Sequence, residues 1–244
     1  MKELLGSLEL NQIYQLDVLE GLKLIPDESV DLVVCDPPYG INYSSNWSKD
    51  DNYRKKVKTV NGIANDNYDN LSFLEKVIKE IDRVLKHNSH LYWFTRWDKV
   101  EQHKPMLDKY FKVKNSLIWV KNNWSMGDLY GAYAGQYENI LFAQKGRRLL
   151  NKIDGIKRHP DVLHFDRVPP NKLLHSHQKP VDLLEFIIKK SSNEGEIVLV
   201  PFCGSGSECV AALSTNRKFI SFEIEREFIE IANERLKQVD LHKY

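Results

Sequence analysis

The stretch Val30–Cys35 restricts the fold of this chain more than any other. Three valines, a leucine and a cysteine crowd into six residues. So short and apolar a run reads as a strand buried on both faces, which requires helices on both sides of a sheet. Ile197–Val200 repeats the pattern late in the chain. Between and around these runs the periodicity alternates. Strands are expected at 13–16, 89–95, 116–120, 137–143 and 219–223. Helices are expected at 18–25, 71–86, 98–110, 180–190, 208–214 and 226–238. The clearest helix carries Leu74, Val77, Ile78, Ile81 and Leu85 on one stripe, with Glu75, Lys79 and Glu80 outside it. Such alternation predicts an α/β fold with a doubly wound, mainly parallel sheet, and 244 residues suffice for one such domain.

Two segments break the alternation, and both read as long inserted loops of functional interest. Residues 40–70 are rich in Asn, Asp, Ser, Lys and Tyr. Residues 146–174 are similar and contain Pro169 and Pro170. Lys plus Arg is 35 and Asp plus Glu is 34, a net charge of +1 that excludes a wholly basic nucleic-acid coat. The charge is unevenly placed, however. Residues 49–58 hold five basic and two acidic groups, and residues 143–159 hold six and one. A basic run beside aromatic residues suits phosphate contact and base stacking. Trp47, Tyr53, Arg54, Lys55, Lys56 and Lys58 in the first loop, and Arg147 and Arg148 in the second, are therefore candidate nucleic-acid contacts.

No run is long or apolar enough to span a bilayer, and the first ten residues lack the apolar centre of a signal peptide, so a cytoplasmic location is expected. The three cysteines, Cys35, Cys203 and Cys209, form no Cys-x-x-Cys pair and argue against a disulfide framework or zinc knuckle. His175 and His177 have no third ligand nearby in sequence, so no metal is expected.

The chemistry concentrates at the ends of the two buried strands, where parallel sheets bind ligands. Asp36-Pro37-Pro38-Tyr39 follows the first. Prolines fix the backbone and remove N–H donors while leaving carbonyls free to accept. An acid, free carbonyls and an aromatic ring can grip an exocyclic –NH2 group: Asp36 accepts one N–H, Pro37 another, and Tyr39 stacks on the ring. Two acceptors can draw the lone pair of such an amine out of conjugation and aim it at an electrophile. Pro201-Phe202-Cys203-Gly204-Ser205-Gly206-Ser207 follows the second strand and opens a helix. Its glycines allow close approach of a nucleotide-like cofactor, and the helix start offers N–H groups. Glu223 ends the next strand, where such folds place an acid for two ribose hydroxyls.

Asp36–Tyr39, the glycine loop, Glu223 and the run from His175 to Pro180 together resemble the S-adenosylmethionine-dependent DNA amino-methyltransferases. Within them the order resembles the permuted, beta-type group, in which Asp-Pro-Pro-Tyr precedes the glycine-rich motif. Trp119-Val-Lys-Asn122, Gln136-Tyr-Glu138 and Arg217-Lys-Phe-Ile220 agree with the same pattern, and the likeness runs from about Gln12 to Lys237. The resemblance implies a Rossmann-like methyltransferase fold and a cofactor held by Phe202, Gly204, Ser205, Gly206 and Ser207. Glu223 would take the ribose, Asp17 would lie near the adenine, and His175, Gln178, Lys179 and Pro180 would line the amino-acid end. S-adenosylhomocysteine would be the product, and no metal would take part.

The resemblance further implies that Asp36, Pro37, Pro38 and Tyr39 receive a flipped-out adenine and that its N6 is methylated. Cytosine N4 is the alternative target. A non-catalytic DNA-binding module with a vestigial cofactor fold is the alternative of another class. Lys121, Asn122 and Trp124 join the expected DNA contacts. Recognition in this group falls between about Glu138 and His175, which leaves few residues here. It is shared with 40–70 or completed by a second copy of the chain in a homodimer. The chain departs from the family pattern at Val200, where an acid is usual, and at His177 and Ser207, where threonine is usual.

Overall fold

The computed structural model describes residues 3–39, 70–124, 130–174 and 178–241. An eight-stranded sheet forms its centre, in the order β3-β10-β9-β4-β5-β7-β6-β8. The strands are β3 (Gln12–Gln15), β4 (Val30–Cys35), β5 (Leu85–Thr95), β6 (Lys112–Val120), β7 (Tyr137–Lys145), β8 (Val162–His164), β9 (Ile197–Val200) and β10 (Lys218–Glu223). A small hairpin of β1 (Leu4–Leu5) and β2 (Leu8–Glu9) precedes them.

The sheet is parallel from β3 through β5. β7 then runs antiparallel to both β5 and β6, and β8 lies parallel to β6. The fold is thus mainly parallel, as expected, with one reversed strand that the sequence pattern does not reveal. β8 lies inside the segment read as a loop. Three residues with only Leu163 buried give too little periodicity to register as a strand.

Among the described residues six helices cover the sheet: α1 (Val18–Lys23), α2 (Leu71–Val84), α3 (Val100–Leu107), α4 (Val181–Ser191), α5 (Ser207–Ser214) and α6 (Arg226–Leu241). Leu22, Ile78 and Leu107, from α1 to α3, pack with Val33, Cys35 and Trp93 on one face. Leu184, Ile188, Ala211 and Ala232, from α4 to α6, pack with Leu32, Val34 and Phe94 on the other. Every residue of β4 is buried, so its alternate side chains serve both cores. Asp31 is accommodated by Lys86 Nζ at 2.7 Å and the Ile197 backbone N–H at 2.9 Å, which satisfy its two oxygens.

β9 and β4 are neighbours whose chains depart in opposite directions, one toward β10 and the other toward β5. That reversal opens a crevice at the C-terminal ends of the two strands. The Asp36 corner and the glycine loop both face it.

Candidate active site

The two oxygens of Asp36 are held from opposite sides. The Tyr39 hydroxyl donates to Oδ1 at 2.6 Å, and Lys179 Nζ donates to Oδ2 at 2.7 Å. Lys179 also lies 3.4 Å from Glu138 Oε2, and Glu138 Oε1 accepts from Lys121 Nζ at 2.7 Å. Four charges of alternating sign therefore run from the strand end of β4 across to β7 and β6. Phe94 and Tyr39 flank the Lys179 ammonium, with ring centroids at 5.2 and 5.7 Å.

This chain of charges decides the protonation states. Burial works against a charged Lys179, but Asp36 and Glu138 outweigh it and hold the ammonium above its ordinary range. Burial likewise pushes Glu138 up, while Lys179 and Lys121 pull it down further, to about 2. Burial and the neighbouring Asp36 push the Tyr39 phenol well up, so it stays a donor. Asp36 has accepting capacity left, since an ionised carboxylate offers about four lone-pair sites. Pro37 and Pro38 are buried. The Pro38 carbonyl is taken by Asn70 Nδ2 at 2.7 Å, a bond that ties the corner to the start of α2. The Pro37 carbonyl has no such partner among the described residues.

The two glycines of the loop serve different purposes. Gly204 has φ +50°, and a Cβ built there meets nothing within 4 Å. Its open side is a cradle that a side chain would fill. Gly206 has φ +78°, and a Cβ there would stand 2.6 Å from Ala232 Cβ, so it allows α6 to close on the loop. Ser205 and Ser207 are turned inward. Arg235 on α6 donates to the Ser205 carbonyl at 2.6 Å and to the Ser207 hydroxyl at 3.0 Å. Both serines, expected to touch the cofactor, are tied to α6 by these bonds.

Glu223 accepts from three backbone N–H groups: Gly204 at 2.7 Å, Ile224 at 2.9 Å and Glu225 at 3.0 Å. Burial raises its pKa despite these bonds. Asp17 lies just past Gln15, the β3 partner of Glu223, and caps α1 through its bond from Leu19 N–H at 2.9 Å. Phe202 is half-buried and meets Phe73 edge to face at 6.3 Å. An open glycine, an anchored carboxylate and a half-buried ring, side by side at the strand ends, fit a nucleoside cofactor of the kind the resemblance implies. Cys203 is buried against Cys209, 3.9 Å between sulfurs, and its thiol is pushed up by that contact and by burial. That is a packed side chain.

The sequence pattern of the DNA methylase family matches residues 30–234. The chain belongs to that family. A DNA adenine methyltransferase of Escherichia coli strain K12, YhdJ, is 31% identical over 90% of this chain and 80% of its own length. The type II methyltransferase M.BglII of Bacillus subtilis is 29% identical over 91% of this chain and 68% of its own. Among solved structures, the M1.HpyAVI–SAM complex superposes with a TM-score of 0.66 at 26% identity, covering 92% of this chain and 98% of that one. The PvuII DNA methyltransferase, described as cytosine-N4-specific, gives 0.73 at 16% identity over 93% and 89%, a likeness of fold.

Within this methylase the expected site residues separate. Asp36, Pro37, Pro38 and Tyr39 line the corner, and Phe202, Gly204, Glu223 and Asp17 gather at the neighbouring strand ends. Lys179 stands with Asp36, whereas the motif had placed it at the amino-acid end of the cofactor. Gln178 accepts from the Leu174 N–H at 3.0 Å, and Pro180 is buried at the start of α4. His175 lies outside the described residues, as do Trp47, Tyr53, Arg54, Lys55, Lys56 and Lys58.

Lys121 is engaged with Glu138, and Asn122 Oδ1 accepts from the Arg167 N–H at 3.3 Å. Trp124 is exposed, as are Trp97, Tyr133 and Tyr137 around the same end of the sheet. Arg147 and Arg148 are elsewhere. They follow β7, whose last residue Lys145 pairs with Ser89 in the first half of β5, so they stand at the end of the sheet opposite Asp36. Arg148 is held there by Glu196 at 2.7 Å. Asn70, Glu138 and Arg235 were not assigned roles from sequence. A charged residue heading the apolar strand Tyr137–Lys145 was the available signal for Glu138.

Proposed function

We propose that this chain transfers a methyl group from S-adenosylmethionine to the N6 amino group of an adenine flipped out of DNA. The observation that carries the reading is the placement of Asp36, clamped by Tyr39 and Lys179, in the same crevice as the open side of Gly204. The cofactor, when bound, supplies an electrophilic methyl on a sulfonium and leaves as a neutral thioether. The protein's part is to bind and aim the amine. Asp36 and the Pro37 carbonyl accept its two N–H bonds, which turns the lone pair out of the ring. Lys179 balances the Asp36 charge and keeps the carboxylate in one orientation. The amine proton departs through Asp36 or to solvent.

Adenine is favoured over cytosine by the 31% identity to a relative described as a DNA adenine methyltransferase. Basic groups of 40–70 and the exposed aromatic rim of Trp97, Trp124 and Tyr133 supply phosphate contact and stacking. A second copy of the chain completes recognition. Action on DNA within a bacterial host, by a bacterial or a phage-encoded enzyme, supports a cytoplasmic location.

The deciding experiment is transfer of labelled methyl from S-adenosylmethionine to mixed-sequence DNA, followed by nucleoside analysis. N6-methyladenine is expected. N4-methylcytosine would keep the mechanism and change the target. No labelled nucleoside would overturn the reading.

A further inference from the structure

Directly after the glycine loop stands a buried carboxylate that the transfer just described does not use. Glu208 is the second residue of α5, directly after the glycine loop, and is only 4% exposed. Ionisable side chains buried this deeply are ordinarily paired. Asp36 has Lys179, and Arg235 is committed to Ser205 and Ser207. Its own backbone N–H donates to the Glu208 carboxyl, and no hydrogen bond or ion pair joins it to another described residue.

Its electrostatic neighbours locate it. From β4 and the turn after it, Cys35, Asp36 and Tyr39 sense its charge. From the approach to α4 comes Lys179, and from α6 comes Arg235. Glu208 therefore follows directly on the loop that opens at Gly204, within electrostatic reach of the corner that would hold the target amine. The methyl donor must bridge those two places. Val200, at the end of β9, is buried and contributes no charge there.

We propose that Glu208 is the counter-charge for the cationic methionyl end of the cofactor, a reading that rests on the S-adenosylmethionine assignment above. The cofactor's sulfonium and ammonium are the two cations such a group can meet. Before a cation arrives, burial and the nearby Asp36 hold the Glu208 carboxyl at about 7, against the pull of Lys179 and Arg235. A cation beside it favours the ionised form. Binding near neutral pH thus ejects a proton from Glu208.

Isothermal titration of S-adenosylmethionine and of S-adenosylhomocysteine into the full chain tests this, from about pH 6 to pH 8 and in two buffers of different ionisation enthalpy. The wild-type chain should release up to about one proton at the lower pH, and its affinity for S-adenosylmethionine should rise by at most about tenfold per pH unit until Glu208 is ionised. Glu208→Gln should bind about tenfold or more weakly near pH 8 and release no proton. A loss shared by both ligands identifies the ammonium as the partner, and a loss confined to S-adenosylmethionine identifies the sulfonium. Wild-type binding without proton release would overturn the role of Glu208, and that result needs no folded variant. A Glu208→Gln chain that binds and releases protons like wild type would overturn it as well. Failure of the wild-type chain to bind either nucleoside would instead overturn the cofactor assignment itself, and the role of Glu208 with it.

Discussion

Lys179 Nζ stands 2.7 Å from Asp36 Oδ2 although 143 positions separate the two residues. The ammonium is buried, and it also forms an ion pair with Glu138 at 3.4 Å. Lys179→Met would strand the Asp36 carboxylate and leave Glu138 with Lys121 as its cation. Removing one partner of a buried ion pair costs about 3–5 kcal/mol, so equilibrium denaturation should show a loss of that order. Turnover should fall about 100-fold or more, since the Asp36 carboxylate loses its fixed orientation. Cofactor affinity should change little. A collapse of cofactor affinity with turnover preserved would return Lys179 to the amino-acid end of the cofactor, where its motif had placed it.

Asp36→Ala separates chemistry from binding in the same corner. The residue is half-buried at a strand end and is not part of either apolar core. Its removal should abolish methyl transfer while leaving the cofactor dissociation constant within a few-fold of wild type. Single-turnover transfer and titration of the cofactor measure the two separately. Undiminished transfer would sink the role of Asp36 as the acceptor that orients the amine.

The loop glycines should respond in opposite ways. Alanine at Gly204 places a methyl group in open space, at a cost of about 1–2 kcal/mol for the positive φ. Its larger effect should be on cofactor affinity, because that space is the cradle. Alanine at Gly206 brings a Cβ to 2.6 Å from Ala232 and should chiefly lower stability, by about 1–3 kcal/mol beyond the φ strain. Thermal unfolding and cofactor titration of both variants check the split. Equal losses of affinity would mean that both glycines face the ligand.

These contrasts show where the sequence was legible. Val30–Cys35 and Ile197–Val200 were readable to the residue because full burial leaves an unbroken apolar run. The direction of β7 was not, because a buried strand has the same pattern whichever way it runs. The corner of Asp36 to Tyr39 was recognisable from its residue types. The partners of that corner were not, because Lys179, Glu138 and Lys121 meet only through the order of strands in the sheet. A basic run looks the same in sequence at either end of a sheet, so the placement of Arg147 and Arg148 away from Asp36 is not legible from their charge.

Glu208 makes the ligand-free protein sensitive to pH in an unusual direction. Its carboxyl titrates at about 7 in the folded chain, chiefly through burial, against 4.5 as the ordinary value. Between those values the folded state binds more protons than the unfolded state, so this group's contribution to stability falls as pH rises from about 4.5 to 7. The difference corresponds to about 3 kcal/mol. Glu208→Gln lacks that loss. Urea denaturation of both chains without cofactor should therefore show the variant gaining on wild type by up to that amount between about pH 5 and pH 8. A difference that stays flat with pH would mean that Glu208 is ionised throughout.

The last contrast concerns DNA. Lys55 and Lys56 belong to the basic segment that follows the Asp36 corner in the chain, whereas Arg147 stands at the opposite end of the sheet and is exposed there. Each phosphate contact contributes about −0.9 to the slope of log affinity against log salt. Reversing Lys55 and Lys56 to Glu should weaken duplex binding and reduce the magnitude of that slope by about 2. Arg147→Glu should leave both unchanged, because a duplex presenting a base to Asp36 lies across the other end of the molecule. Fluorescence anisotropy over a salt series, with the same duplex for every variant, measures each slope. An unchanged slope for the lysine pair would make 49–58 a solvated surface, and a reduced slope for Arg147→Glu would mean that the duplex reaches the far end of the sheet.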